Sequence, residues 1–421
     1  MKLPPINLTL KDLNTCNYDR FILKSTIHMQ EGEFVANVAQ SQSSTNKTHS
    51  LKGYTAYPGL FNAHDHLLGT YYPRVGNGPY ICWKPWDNDL KASKIYEERN
   101  RLPIEQIYLL SYYRHILSGV TTVCDHIPHL INDKQIESAY IRIVEQYCIA
   151  HEMSSYELIW GEDHEIEIQK AKRYNIPFVT HLEEGFDEES MRGVEVLIEK
   201  QGLSSNAVLV HCIACSEQDI SLIAEKKASM VWCPNSNLFM FDKTANIKSF
   251  LEKNVNVSLG TDSPMSGSLH LLDEMKIASS VYKDFYNEAI PAQLIFKMVT
   301  QNPATAFKLN RLIGKIEPGK QADLILLKSK KGSPYERLIK AGIDEIEVVI
   351  RSGVPLYFHE KHKHLFYPDS LLKTHYERVR VIHKNTSNIA YLIGKPLKLK
   401  KRIQKSARFN KEIDFFPIEA P

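Results

Sequence analysis

The chain has 421 residues, 43% hydrophobic and 24% charged, with a formal net charge of +3. That is an ordinary soluble globular composition, long enough to bury a core without staples, and the near-neutral balance gives no reason to expect nucleic acid or a membrane surface as partner. No apolar run approaches the ~18 residues of a membrane span, and the opening MKLPPINLTLKDLN has no apolar signal-peptide stretch, so a cytoplasmic protein is expected.

The seven cysteines agree with that compartment. Their number is odd and several fall inside apolar runs, which suits buried thiols better than a disulfide framework. Cys212 and Cys215 form a lone Cys-x-x-Cys with no second pair to complete a zinc knuckle.

In chain order, residues 1–57 hold short alternating runs such as Arg20–Leu23 and Gly32–Val38, the first part of a small β-sandwich. Residues 58–312 then alternate apolar β-type runs with helical patterns. The candidate strands are Gly59–His66, Val120–His126, Tyr140–Gln146, Tyr156–Gly161, Phe178–Glu183, Val208–Cys212, Ser229–Cys233 and Val255–Asp262. Eight such runs predict an α/β fold, a (β/α)8 TIM barrel whose strands are apolar because both faces are covered. The third and fourth units are short, because two strands must fit between Asp125 and His181. Ser216 to Asp219 reads as a helix cap, and Leu271, Met275, Ala278, Tyr282 and Phe285 recur as one buried helix face. Residues 313–360, with Asp323–Leu327 and Glu347–Ile350, supply the second part of the sandwich. Residues 361–421 are a C-terminal extension carrying Lys395, Lys398, Lys400, Lys401, Arg402, Lys405, Arg408 and Lys411, and charge runs of this kind ordinarily face water.

The chemistry gathers at strand ends. In Gly59–Leu67, "GLFNAHDHL", strand alternation turns His64 and His66 to one face and Asp65 to the other. Other candidate strands end in Asp125-His126, His181, His211 and Asp262. A barrel places such residues around one mouth. There His64, His66, His181 and Asp262 would make a three-nitrogen, one-oxygen site. That set suits Zn²⁺, or Fe²⁺, better than the oxygen-loving Mg²⁺ or Ca²⁺. One divalent metal held there would bring a bound water toward neutral pKa and yield a hydroxide nucleophile.

At this point the sequence resembles a known family. Tyr57-Pro58-Gly59-Leu60-Phe61-Asn62-Ala63-His64-Asp65-His66 looks like the entry motif of the amidohydrolase superfamily. The resemblance continues through Gly119–Asp125, His181–Glu184, Val210–Cys212, Cys233–Leu238, Gly260–Ser263 and Gly314–Leu324. It is nearest to the cytosine deaminase and chlorohydrolase-like group, which includes guanine and S-adenosylhomocysteine deaminases. The resemblance implies that Asp262 both holds the metal and takes the proton of the water. It implies that His211 orients and polarises, and that Glu184, in the His-x-x-Glu spacing, protonates a ring nitrogen and passes the proton to the leaving amine. Glu183 competes for that last role by position alone. Two-metal members carry a bridging lysine on the fourth strand. Tyr156–Gly161 has none, so a single metal is expected.

The loop after the first strand offers Trp83 and Trp86 to stack on a planar ring and Arg74 or Lys84 to meet an acidic substituent; Ser263 is a further candidate substrate contact. The expected function is hydrolytic deamination of a nucleobase- or pterin-like heterocycle. The alternative is cleavage of a cyclic amide, an N-alkylamine or a halide at the same site. An inactive scaffold is a third reading, but scaffolds of this kind lose metal ligands and none is missing here. A homodimer is expected on base rates alone.

Overall fold

The computed structural model describes residues 3–37, 47–154, 156, 160–384, 386–409 and 416–421. The barrel wall is built from Leu60–Asp65, Val120–Asp125, Arg142–Ile143, Cys148–Glu152, Phe178–Leu182, Ala207–His211, Ser229–Trp232 and Asn256–Leu259. Strands one to three form one parallel sheet and strands four to eight another. Apart from Arg142 and Asn256 these strands are buried throughout, because helices or side chains cover both faces. The first and last strands meet through a parallel bridge between Asp65 and Asp262. The His66 N–H donates to the Asp262 carbonyl at 2.8 Å and the Asp262 N–H to the His64 carbonyl at 3.1 Å.

Gly260 makes that closure sterically feasible. A Cβ there would stand 2.7 Å from the His64 Cβ and 2.9 Å from its backbone nitrogen.

The third and fourth strands depart from the expected pattern. Only residues 144–147 lie between them, with no helix. A parallel crossover needs about a dozen residues, so Arg142–Glu152 must run as one stretch. Its start pairs with the second strand and its end with the fifth. The expected fourth strand over Tyr156–Gly161 is therefore corrected to Cys148–Glu152. Residues 157–159 lie outside the described residues, and Tyr156, Trp160 and Gly161 are not in a strand. The true fourth strand, Cys-Ile-Ala-His-Glu, also has no lysine.

The helices follow local signals. Ser216 caps Glu217–Glu225 in a reciprocal box with Asp219, which contributes about 1 kcal/mol. In Leu271–Tyr286 the stripe buries Leu271, Met275, Ala278 and Tyr282, but Phe285, near the helix end, is half-exposed.

Both chain ends join one eleven-stranded sheet. Leu324–Lys328 pairs with Tyr54–Pro58, so the segments flanking the barrel meet directly. Most charged side chains of the C-terminal extension face water as expected, but the extension is folded onto the sheet. Tyr376–His383 and Thr386–Ile393 extend the same sheet, and Pro396–Ser406 is an amphipathic helix burying Leu399 and Ile403. Lys and Arg on such elements keep their charges in water while their neighbours pack. Lys411 and Val38 fall outside the described residues. No described helix is long and apolar enough to cross a membrane.

Candidate metal centre and active-site cavity

The barrel's mouth gathers His64, His66, His181 and Asp262. The nearer Asp262 oxygen, Oδ1, lies 3.5 Å from His64 Nε2 and 3.3 Å from His66 Nε2, and His181 Nε2 lies 3.4 Å from His64 Nε2. All four are buried. The remaining ring atoms are fixed from behind. The Nδ1–H of His66 donates to the His126 carbonyl at 2.9 Å, and the Nδ1–H of His181 to the His151 carbonyl at 2.7 Å. That tautomer leaves each Nε2 lone pair facing the centre. The other Asp262 oxygen accepts from the hydroxyls of Ser236, at 2.6 Å, and Ser266.

Electrostatics suit a cation. Burial lowers His66 to about 4 and His181 well below its usual value, so both imidazoles are neutral. Burial opposes ionisation of Asp262, but the facing histidines outweigh it and hold the carboxyl far below its ordinary range. Neutral imidazoles and an ionised carboxylate are the protonation states that metal binding requires.

Glu184 follows the fifth strand. Burial, then the charges of Asp262 and Glu152, push its carboxyl well above the usual range. Its Oε1 lies 3.4 Å from His211 Nε2. Burial lowers His211 to about 3, and its Nδ1 accepts from the Asn237 amide at 2.9 Å, which leaves the proton on Nε2. A carboxyl whose neutral form burial favours and an imidazole N–H therefore stand side by side. Glu183 turns away: it accepts from the Val194 N–H at 3.1 Å. Backbone strain clusters here too, with positive φ at Glu183 (50°), His211 (72°), Cys212 (51°) and Asp262 (62°).

A cavity of about 320 Å³ opens over these groups. Trp83, Trp86, Tyr72 and Trp160 give it aromatic walls, and Lys91 and Arg99 give it two basic groups. Trp83 is tied to the chemistry twice. Its backbone N–H donates to the Glu184 carbonyl at 3.2 Å, and its indole N–H donates to Glu152. Arg74 and Ser263 do not line this cavity. The Arg74 guanidinium donates to the Gly267 carbonyl at 3.0 Å and lies over Phe239, and Ser263 is buried beneath Gly69.

Three residues of the site escaped the sequence reading of ligands. His126 forms a possible metal-holding triad with His64 and His181, and its Nδ1 is buried without a partner. His151 and Glu152 end the true fourth strand. Placing that strand at Tyr156–Gly161 hid both, although the Asp125-His126 strand end was itself a visible signal.

Residues 164–357 match the model of the amidohydrolase family. The chain carries an amidohydrolase family domain. It is 28% identical over 377 residues to a 5-methylthioadenosine/S-adenosylhomocysteine deaminase of Caldanaerobacter subterraneus, covering 77% of this chain and 86% of that one. A 5'-deoxyadenosine deaminase of Methanothrix thermoacetophila is 28% identical over 353 residues, covering 74% and 83%. The crystal structure of an adenosine deaminase from Xanthomonas campestris with bound zinc superposes with a TM-score of 0.71 at 18% identity, covering 96% of this chain and all of that one. That last likeness is one of fold.

Proposed function

We propose that this amidohydrolase is a mononuclear metal-dependent deaminase of an aminated heterocycle, with a purine of the adenosine type as the first class to test. The observation that carries the reading is Glu184 Oε1 standing 3.4 Å from His211 Nε2 beside Asp262, where burial pushes the Glu184 carboxyl well above its usual range and the facing histidines hold Asp262 below its own. Acid, donor and base have been separated by environment before any substrate arrives.

His64, His66, His181 and Asp262 would hold the ion. The buried, unpartnered His64 Nδ1 and the Nε2 atoms facing one another support a site built for a cation. Zn²⁺ is the preferred ion, because three nitrogens and one oxygen match it and the similar adenosine deaminase structure holds zinc. When bound, a divalent ion supplies Lewis acidity and makes the attacking water more acidic.

The chain's own residues do the rest. Trp83 and Trp86 present flat apolar faces to a planar ring. Glu184 gives its proton to the ring nitrogen beside the aminated carbon, so that carbon becomes electrophilic. Asp262 takes a proton from the attacking water as the C–O bond forms. The His211 N–H donates to the oxygen as its charge grows. Glu184, now ionised, takes the proton from the hydroxyl of the tetrahedral intermediate and delivers it to the amine. The C–N bond breaks as C=O forms, ammonia leaves, and the proton held by Asp262 returns to Glu184. The deaminase relatives support this bond choice.

The test is ammonia release from a panel of 5'-deoxyadenosine, methylthioadenosine, adenine and guanine by metal-loaded protein. The product should have lost NH and gained O. Glu184→Gln should lower turnover by roughly 10²–10⁴ with metal content unchanged. A product that gains a whole water, or release of halide without ammonia, would reassign the bond to a cyclic amide or a halide.

A further inference from the structure

A second cavity, of about 530 Å³, lies where the segment leading into the third barrel strand meets the terminal sheet and the C-terminal extension. Its charged lining is mostly basic. Arg351 ends the strand Ile346–Arg351, His375 ends the helix Asp369–His375, and Lys395 precedes the helix Pro396–Ser406. Against them stands one acid of the lining, Glu137.

Arg351 is the unusual member. One terminal nitrogen, Nη1, donates to the carbonyls of Ala139 and Tyr140 at 3.4 and 3.2 Å. Its Nε is buried with no acceptor. Asp323 and Glu145 reach it only through space, and Asp323 is already bound by Arg142 at 2.5 Å. Burial and the neighbouring Arg142 both hold the guanidinium below its usual range. A largely buried guanidinium without a carboxylate partner costs stability, and two backbone carbonyls and two distant acids compensate it only in part. His375 Nε2 is a second buried nitrogen without a partner. Among the described residues neither Arg351 nor Lys395 makes an ion pair with a carboxylate.

We propose that this cavity binds a small organic phosphate, with Arg351, His375 and Lys395 around the phosphate and Leu356, Ile393 and Tyr140 against its apolar body. The three basic groups come from three separate elements, which suits a tetrahedral group with several acceptor oxygens better than a planar carboxylate. The volume exceeds what a bare phosphate fills, and the apolar wall accounts for the remainder. The site stands apart from the barrel mouth, so it does not depend on the deaminase reading.

The experiment is calorimetric titration of the metal-loaded full chain with phenyl phosphate and with inorganic phosphate, each against sodium chloride of equal ionic strength. One phenyl phosphate per chain should bind, about tenfold more tightly than inorganic phosphate. Lys395→Glu, at an exposed position, should weaken it at least tenfold, as should Arg351→Met. In the absence of ligand, Arg351→Met should melt no lower than the parent, since the buried charge it removes has no carboxylate partner and the packed side chain is kept. Failure of phenyl phosphate to bind above the chloride control at millimolar concentration would overturn the proposal. So would binding that both substitutions leave intact, which would place the ligand elsewhere. Equal affinity for the two phosphates would overturn the assignment to an ester.

Discussion

His126 is the residue whose role the sequence left most open. Its ring centroid lies 5.2 Å from that of His64 and 4.3 Å from that of His181, while those two are 5.0 Å apart. Its Nε2–H donates to the Ala150 carbonyl at 2.9 Å, which leaves the unpartnered Nδ1 as a lone pair within the cluster. His126→Phe should therefore weaken metal retention by about 10–100-fold, as loss of a close supporting group does. Metal-to-protein ratios after dialysis against graded chelator measure this, and undiminished retention would show His126 to be packing only. Glu152 offers a second prediction. Burial raises its carboxyl to about 7, although the Trp83 indole and the Ser154 hydroxyl both favour the ionised form. A folded pKa above the unfolded one favours the protonated fold. That stability is complete below the unfolded value near pH 4.5 and is lost as pH rises through 7. Glu152→Gln keeps an acceptor for the indole and cannot ionise. Between pH 5 and pH 8 the parent should lose about 2–3 kcal/mol relative to this variant, measured by denaturant titration of metal-free protein. Parallel pH profiles would mean that Glu152 titrates normally.

At the scale of elements, the sequence disclosed the barrel where strands stand apart as separate apolar runs and hid it where two strands share one stretch of chain. His64, His66, His181, His211 and Asp262 stand at or just past the C-terminal ends of separate apolar strands, so alternation and motif spacing both point to them. Arg142–Glu152 has no turn signal and no helix in its middle, because one stretch serves two neighbours. Periodicity alone could not divide it, and the better-patterned Tyr156–Gly161 drew the assignment instead. The packing of the C-terminal extension is hidden for a different reason. Its lysines dominate the composition, but the packing is decided by Val379, Val381, Leu399 and Ile403, all buried at strand or helix spacing. The extension also reaches the active-site side. Backbone N–H groups of Arg408 and Phe409 donate to Glu98, which also accepts from Tyr71 in the turn just after His66. Removing residues 396–421 exposes the partners of Leu399, Ile403, Phe416 and Ile418. At roughly 1.5–3 kcal/mol for each buried side chain, the loss is comparable to the whole stability of an ordinary domain. A chain ending at Lys395 should fail to give a cooperative melt, and Ile403→Ala alone should cost about 2–4 kcal/mol by denaturant titration. A truncated chain that melts like the parent would show the extension to be dispensable.

For the whole molecule, the metal centre and the closure of the barrel are one structure. The same Asp262 that faces His64 and His66 carries the backbone bonds joining the eighth strand to the first. On the outer side of the same strand, Asp65 pairs with Arg114 at 2.5 Å and accepts from Thr261 and Asn62 at 2.8 and 2.9 Å. Burial resists its ionisation, yet Arg114 and His115 bring it to about 2. The inner carboxylate has no such neighbour. Asp262 is ionised among neutral imidazoles, with two serine hydroxyls as its fixed donors, so without a cation its charge lacks a full counterpart. An ion that binds the folded chain alone stabilises it by mass action, by about 3–4 kcal/mol at 100–1,000 times its dissociation constant. Chelation should accordingly lower the melting temperature by roughly 3–5 °C, and one equivalent of Zn²⁺ should restore it. Asp262→Asn tests whether the carboxylate is the link. It keeps the backbone bridge but removes the charge, so its melting temperature should respond much less to chelator than the parent's does. If the parent itself melts at the same temperature with and without chelator, strand closure owes nothing to the ion, and the joining of the first and eighth strands must rest on the Asp65 network and the backbone alone.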